Sequence, residues 1–136
     1  MLSKMGPGTN AITWFEIPVT DTKRAKKFYE TILDIQMETR FIEETNEEMT
    51  FFPFEPGIVR ATSGLVSGVL TRNNVYKPSN NGTVVYLNAY PEIQPVIDRI
   101  EPAGGKIVLP KIKILAGYIA RFIDSEGNML GLHAEE

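Results

Sequence analysis

The feature that most constrains the fold is an order of predicted elements that occurs twice. Each half of the chain shows the pattern of a strand, a helix and three further strands. The opening strands contain Phe15-Glu16-Ile17 and Val85-Tyr86-Leu87, which lie 70 residues apart. The repeat concerns architecture and not residue identity. Two such units can pair into a curved mixed sheet with helices on the convex side and a cavity on the concave side. A ferredoxin-like sandwich, the alternative α+β arrangement, would leave several strands unplaced.

The first half opens with a strand whose two faces differ. From Trp14 to Val19, apolar side chains alternate with a second set that includes Glu16. Asp21 can accept hydrogen bonds from free backbone N–H groups, which makes it a good helix N-cap. Apolar residues then follow at the spacing of one helix stripe, and three shorter strands are predicted around 37–42, 49–54 and 64–70. The stripe consists of Ala25, Phe28, Tyr29, Ile32 and Leu33.

The second half follows a polar segment, 72–82, which is the predicted linker. A strand at 84–89 precedes a helix that can hold Pro91 and Pro95 only near its first turn. Strands are predicted near 106–109, 117–123 and 129–134, and the turn at 124–128 makes the last two a hairpin. We therefore predict an α+β fold with a flexible lead-in at 1–10 and a single domain at 11–136, built of modules at about 11–71 and 83–134. The natural start is Met1 or Met5.

Composition limits the classes of partner. A chain of 136 residues is expected to form one domain. The net charge of -3 and pI near 5.3 give no electrostatic reason to expect nucleic acid or a membrane surface as a partner. The absence of cysteine excludes disulfides and thiolate sites and is compatible with a reducing cytoplasm. No apolar run of about 18 residues predicts a transmembrane helix. We expect a cytoplasmic protein.

The sequence resembles the vicinal-oxygen-chelate proteins, which form the glyoxalase, bleomycin-resistance and dioxygenase family. The resemblance covers about 11–134 and depends on the order of three motifs, each weak alone. The motifs are Trp14 to Asp21 with Ala25 and Phe28-Tyr29, then Ala103-Gly104-Gly105-Lys106, then Asp124 to Asn128 with Leu130 and Leu132. The family includes glyoxalase I, extradiol dioxygenases, methylmalonyl-CoA epimerase, metal-thiol fosfomycin resistance enzymes and metal-free bleomycin-binding proteins. The resemblance implies a fold and a homodimer more firmly than a reaction.

The metalloenzymes of that family bind a divalent cation with His and Glu side chains that converge in the cavity. The resemblance places the usual ligand positions at Trp14, at or near Val84, and at Gly131, none of which can bind a cation. Residues 56–91, which span two ligand-bearing strands, contain no Asp, Glu, His or Cys. We therefore predict no metal cofactor.

Strand alternation predicts which side chains line the cavity. If Trp14 occupies a former ligand position, every second residue of three strands points inward. This aromatic and polar lining suits a small organic molecule. The predicted lining residues are Trp14, Glu16, Tyr86, Asn88, Met129 and His133.

Each of these residues has a functional and a structural interpretation. Trp14 and Tyr86 can stack on a planar ligand or simply fill the cavity. Glu16 is a candidate general base, a partner for a cationic ligand, or a structural partner of an amide or guanidinium. The structural partners considered are Arg60, Arg121 and Asn88. His133 is a candidate general base near neutral pH, or a surface residue of the last strand.

Two functional hypotheses follow. The first is a metal-independent protein that binds a small organic molecule through Trp14, Glu16, Tyr86, Asn88 and Met129. The alternative is a glyoxalase- or epimerase-like lyase or isomerase. It would use Glu16, with His133 as a second candidate, and an atypically placed divalent cation. The missing ligands favour the first hypothesis.

Overall fold

A computed structural model describes residues 4–136, and it confirms the predicted order of elements in both halves. Each half contains a strand, a helix and three strands. The elements are β1 (Trp14–Pro18), α1 (Thr22–Leu33), β2 (Glu38–Ile42), β3 (Glu47–Phe51), β4 (Ser67–Arg72), β5 (Tyr86–Asn88), α2 (Ile93–Ile100), β6 (Lys106–Ile114), β7 (Gly117–Ile123) and β8 (Met129–Ala134).

The strands of each half form their own four-stranded mixed sheet. The first sheet has the order β1-β4-β3-β2 and the second β5-β8-β7-β6. β1 runs parallel to β4, β5 runs parallel to β8, and the other neighbours are antiparallel. In residues 4–136, no strand of the other sheet pairs with β1 or β5, so the fold is α+β without a closed barrel. We call the space between the free edges of β1 and β5 the seam.

Several strand boundaries differ from those predicted. β4 begins at Ser67 instead of 64, because Gly64 adopts a φ of 74° that interrupts an extended chain. β5 is shorter than 84–89, and β6 extends to Ile114 with register shifts on both sides of Leu109. Pro110, which has no N–H to donate to the ladder, lies within this irregular stretch.

The helices cover one face of each sheet. Asp21 caps α1 by accepting a hydrogen bond from the Arg24 backbone N–H at 3.0 Å, as predicted. Pro95 is the third residue of α2, where its missing N–H breaks no helical hydrogen bond. The apolar stripes of both helices join one core with the alternate residues of the strands. Its members include Phe28, Tyr29, Ile32, Ile93, Ile97, Ile17, Leu70, Leu87, Phe122, Leu130 and Leu132.

The turn at 124–128 connects the two halves as well as the strands of its hairpin. Buried Asp124 accepts a hydrogen bond from the Tyr29 hydroxyl at 2.6 Å, and Asn128 donates to the Pro18 carbonyl at 2.7 Å. Asp124 also accepts hydrogen bonds from the backbone N–H groups of Glu126 and Asn128. Sequence reasoning identified Asp124 and Asn128 as turn formers and missed this second role.

Glu126 in the same turn holds the start of α1. Its carboxylate accepts the backbone N–H groups of Thr20 and Asp21 at 2.9 Å and the Arg24 Nε at 2.6 Å. Burial alone would raise the pKa of Glu126. The hydrogen bonds from Arg24, the two backbone groups and Ser125 outweigh it and lower the pKa to about 2.

The start of the described chain is held against the first half of the protein by a backbone hydrogen bond. A turn between Gly6 and Thr9 leads to Asn10, whose N–H donates to the Ala61 carbonyl at 2.7 Å. Residues 1–3 of the predicted lead-in lie outside the described residues. α1 is a helix of 12 residues, and no helix in 4–136 has the length and apolar character needed to cross a membrane.

Candidate functional site

Each sheet has one face that the helices leave uncovered, and the six predicted lining residues lie on these two faces. Strand register assigns the residues that share a face. On the second sheet, the face formed by β5, β8 and β7 carries Tyr86, Asn88, Met129, Gly131, His133, Ile119, Arg121 and Ile123; we call it the open face. On the first sheet, the corresponding face carries Trp14, Glu16, Val69, Thr71, Met49, Phe51 and Glu47; we call it the closed face.

A tyrosine, a glycine and an arginine form one row across the open face. Tyr86 lies opposite Gly131, which lies opposite Arg121 on the next strand. The Tyr86 ring crosses over Gly131, and its hydroxyl accepts a hydrogen bond from the Arg121 Nε at 2.7 Å. The Arg121 guanidinium carbon lies 6.0 Å from the centroid of that ring. The row therefore presents a guanidinium that is held in place by a tyrosine.

The next row of the open face contains Asn88 opposite His133. The Asn88 side-chain carbonyl accepts the Tyr90 backbone N–H at 2.9 Å. The His133 Nε2 lies 2.6 Å from the Ala116 carbonyl oxygen. Since a carbonyl only accepts, Nε2 carries a proton there and Nδ1 is left as the acceptor of a neutral ring. His133 thus attaches the β6–β7 turn to the last strand.

Residues 73–77 of the predicted linker lie against the part of the closed face around Glu16 and Glu47, although Glu16 remains exposed. The Tyr76 hydroxyl donates to the Glu16 carboxylate. Burial and then the adjacent Glu16 charge raise the pKa of Tyr76 above its usual value, so the hydroxyl stays protonated as the donor. Buried Glu47 accepts hydrogen bonds from the Thr71 hydroxyl at 2.5 Å and the Asn73 amide at 3.3 Å. Asn73 in turn accepts the Tyr76 N–H at 3.0 Å, which shapes the covering segment.

The structural partner of Glu16 is therefore Tyr76, and the expectation of Arg60, Arg121 or Asn88 is wrong. Each of those side chains has another neighbour. Arg60 lies over the Trp14 ring at 5.8 Å from its centroid, and Trp14 also packs 6.2 Å from the Phe51 ring. The sequence offered one signal for the covering segment. Asn73 is a residue type that commonly bonds to backbone N–H groups two or three positions ahead.

The seam contains two cavities that place the predicted lining residues differently. A cavity of about 150 Å³ brings Glu16 and Met129 together with Lys77 and Asn128. A larger cleft of about 920 Å³ runs along the free edge of β5 and includes Tyr86 and Asn88. Trp14 and His133 line neither of them. The larger cleft is mostly apolar, and its walls include Ile12, Phe15, Leu33, Ile35, Phe52, Val66, Val85, Leu87 and Val96.

Comparison with known protein families decides the class of this fold. The family model of the Glyoxalase/Bleomycin resistance protein/Dioxygenase superfamily matches residues 11–132. The chain belongs to this superfamily. No curated protein matches the chain in sequence.

Solved structures of superfamily members share the fold at low sequence identity. A mutant of glyoxalase I from Zea mays is 18% identical, with a TM-score of 0.65 over 90% of this chain and 45% of the maize chain. This chain thus spans about half the length of that protein. Glyoxalase I of Leishmania major is 18% identical over 93% of this chain and 87% of its own, with a TM-score of 0.64. A fosfomycin resistance protein from Listeria monocytogenes, complexed with Mn(II) and 1S,2S-dihydroxypropylphosphonic acid, is 14% identical over 91% of both chains, with a TM-score of 0.61.

The residues present do not fit the divalent-cation site of the superfamily's metalloenzymes. Within residues 4–136, no three His, Asp or Glu side chains come together as a metal site. Gly131, where the resemblance led us to expect the closing-strand ligand, lies beneath the Tyr86 ring. A Cβ atom there would lie 2.4 Å from ring carbons of Tyr86, which is a steric clash. Trp14, where the resemblance led us to expect the first ligand, packs against Arg60 and Phe51.

Proposed function

We propose that this superfamily member binds a small organic molecule at the seam and along the open face, without the divalent cation that the superfamily's metalloenzymes use. The observation that carries the proposal is the cleft of about 920 Å³ beside β5. Its volume lies in the range of pockets that bind small molecules, and its walls combine apolar side chains with a few polar groups.

The predicted ligand-binding residues lie in different parts of the seam and the two faces. Tyr86 and Asn88 form the polar rim of the large cleft. Met129 and Glu16 line the smaller cavity at the other end of the seam, beside Lys77. Trp14 lines neither cavity and packs against Arg60 and Phe51 on the closed face, so it has no place in this site.

The enzymatic alternative receives less support from the geometry. The Glu16 carboxylate already accepts the Tyr76 hydroxyl, and the smaller cavity that it lines includes no second acid and no histidine. His133 lies on the other sheet and holds the Ala116 carbonyl. The structure of the Listeria relative with a bound three-carbon phosphonic acid supports a small organic ligand for this chain as well.

A thermal-shift screen of small molecules, with metal analysis of the same preparation, tests this proposal. A ligand present at 100 times its dissociation constant raises the free energy of unfolding by about 2.7 kcal/mol. We expect such a stabilisation in the wild-type chain, a weaker one in Asn88→Ala, and no change from wild type in Lys27→Met, a control on an exposed position of α1. A stoichiometric divalent metal in protein purified without chelator or metal-binding tag would refute the metal-free assignment.

The proposal also includes a homodimer in a reducing cytoplasm, as the resemblance and the cysteine-free sequence suggest. Light scattering after size exclusion measures the assembly directly. The dimer requires a mass twice the 15.2 kDa of one chain, and a mass of one chain at micromolar concentration contradicts it.

A further inference from the structure

The open face differs from the rest of the chain in its charge. Across β5, β8 and β7, the eight residues of this face include no Asp or Glu, although the chain has 17 acidic residues and a net charge of -3. Arg121 is exposed, and none of the ion pairs found within residues 4–136 includes it. An exposed guanidinium in a protein with excess acid usually has acidic neighbours available. Here the strands around it supply none.

Tyr86, Asn88 and Arg121 on the open face each keep a group that can donate a further hydrogen bond. The Tyr86 oxygen accepts from the Arg121 Nε, so its O–H remains to donate. The Asn88 carbonyl accepts from the Tyr90 N–H, so its NH₂ group remains to donate. The two terminal nitrogens of Arg121 are donors only, and Nε is the nitrogen that holds the tyrosine. The three side chains lie on the same face of the second sheet, in neighbouring rows, and each has an N–H or O–H group left to donate.

The spacing of the strands explains how the Tyr86 hydroxyl and the Arg121 guanidinium meet. Neighbouring strands lie about 4.8 Å apart, so Arg121 is two strands from Tyr86. The ring spans the intervening strand only because residue 131 has no side chain. Tyr86 is 40% exposed, so its remaining O–H can be reached by a ligand. Gly131 thus has a defined role, which is to let the tyrosine hydroxyl meet the guanidinium.

We infer that the open face binds the anionic group of a ligand, a carboxylate or a phosphate, through Arg121, the Tyr86 hydroxyl and the Asn88 amide. A planar guanidinium held by a second hydrogen bond is well suited to the two oxygens of such a group. Tyr86 and Asn88 also line the apolar cleft beside β5, whose lining does not include Arg121, so these two residues connect the anion position with the place proposed for the uncharged body of the same ligand. The inference rests on the proposed small-molecule function and specifies its ligand as an organic acid or phosphate ester with an apolar body.

Small aromatic probes that differ mainly in charge test the inference. Benzoate and phenyl phosphate carry the anionic group, benzamide is the neutral analogue of benzoate, and benzamidine is the cationic one. Titrations of the full chain followed by amide chemical shifts give each dissociation constant. We expect saturable binding of at least one anion, about tenfold or more weaker binding of benzamide, and no binding of benzamidine. A preference for benzoate or for phenyl phosphate identifies the group as carboxylate or phosphate.

Matched variants assign the effect to the side chains. Arg121→Met is expected to weaken the anion about tenfold, equivalent to about 1.4 kcal/mol. Tyr86→Phe, which keeps the ring and removes the hydroxyl, is expected to weaken it several-fold. Lys27→Met removes the same charge from α1 and is expected to leave the dissociation constant unchanged. An Arg121→Met chain with a wild-type spectrum in other regions confirms that the fold is intact.

Two results would overturn the inference and are distinguishable from failure of the proposed function. Equal binding of benzoate and benzamide, unaffected by Arg121→Met, would leave a small-molecule site in place and remove the anion assignment. The absence of saturable shifts from both anions at about 10 mM, ten times a millimolar dissociation constant, would also refute it. If neutral compounds from the thermal-shift screen stabilise the chain in that case, the proposed function remains.

Discussion

The open and closed faces belong to corresponding sheets of the two halves, but their charged groups have different kinds of partner. On the closed face, two acids are bonded to groups of the chain itself: Glu16 to the Tyr76 hydroxyl, and Glu47 to Thr71 and Asn73. On the open face, the charged group is Arg121, and its protein partner is the neutral hydroxyl of Tyr86. The two acids of the closed face are bonded within the chain, whereas the open face presents exposed donors that can still bind a ligand.

Duplicated architecture therefore does not produce duplicated sites. The alternation of each opening strand determines which side chains point away from the core. The types of these residues determine which other groups contact them. On the first sheet, Glu16 and Glu47 accept hydrogen bonds from the hydroxyl and amide groups of residues 73–77, which therefore lie against this part of the face. On the second sheet, a guanidinium on the strand next to a glycine holds the tyrosine ring that crosses this glycine, and the tyrosine stays exposed. We therefore assign ligand binding to the second sheet and its edge.

The largest expected effect comes from removing the buried acid of the closed face. Glu47→Ala leaves the Thr71 hydroxyl without its acceptor and leaves the Asn73 amide with only the Thr71 oxygen, 3.3 Å away, in place of the carboxylate. Because an unsatisfied buried polar group costs about 1–3 kcal/mol, we expect a loss of about 3 kcal/mol in the free energy of unfolding, measured by urea denaturation. The exposed Glu44→Ala serves as control and is expected to change it by less than about 0.5 kcal/mol. Equal effects of the two variants would contradict the closed face as described.

A methyl group under the tyrosine tests the open face. Gly131→Ala places a Cβ where the Tyr86 ring lies, and we expect a loss of about 2 kcal/mol together with weaker anion binding. The same substitution in a Tyr86→Ala background is expected to cost little stability, because no ring remains to clash. A double-mutant cycle of unfolding free energies measures this coupling. Additive effects would show that the ring does not lie over Gly131.

The turn that connects the two sheets predicts an acid-dependent loss of stability. The pKa of Glu126 is about 2 in the folded chain and about 4.5 as its ordinary value. A carboxyl with a lowered folded pKa stabilises the fold above the ordinary pKa, and this contribution disappears as the pH falls from about 4.5 towards 2. Glu126→Gln is expected to cost about 2 kcal/mol at pH 7. The difference in unfolding free energy between wild type and variant should shrink below pH 4.5. A constant difference between pH 7 and 2.5 would contradict the role of the Glu126 carboxylate at the start of α1.

The smallest expected effect concerns the hydroxyl that covers Glu16. Tyr76→Phe removes one hydrogen bond at a partly exposed position, so we expect a loss of about 1 kcal/mol in unfolding free energy. Since this change lies on the closed face, the dissociation constant of the anionic probe should remain that of wild type. A tenfold change in that dissociation constant would indicate that the ligand site lies near Glu16 instead of on the open face.

The sequence predicted what depends on local periodicity and missed what depends on tertiary placement. Alternation correctly separated Glu16 and Tyr86 from the buried Ile17 and Leu87, because side chains alternate along any strand. It could not predict Tyr76 as the partner of Glu16, since the two are 60 residues apart and meet only through the path of a linker.

Contacts on the open face depend likewise on strand order. Tyr86 and Arg121 are 35 residues apart, and they meet because β8 inserts between their strands with a glycine at the crossing point. Sequence reasoning took Gly131 as a missing ligand, whereas the structure gives it a packing role. Arg121 was considered only as a partner of Glu16, because its distance from the other acids cannot be read from the sequence.

The most direct test of the account is a map of amide chemical shifts during titration with the stronger of the two anionic probes, in the presence of EDTA. If the open face binds the anion without a metal ion, saturable shifts occur in β5, β7 and β8, centred on Tyr86, Arg121 and Gly131. The dissociation constant is then the same when EDTA is omitted. Shifts confined to β1, β4 and residues 73–77, or binding that EDTA abolishes, would contradict it.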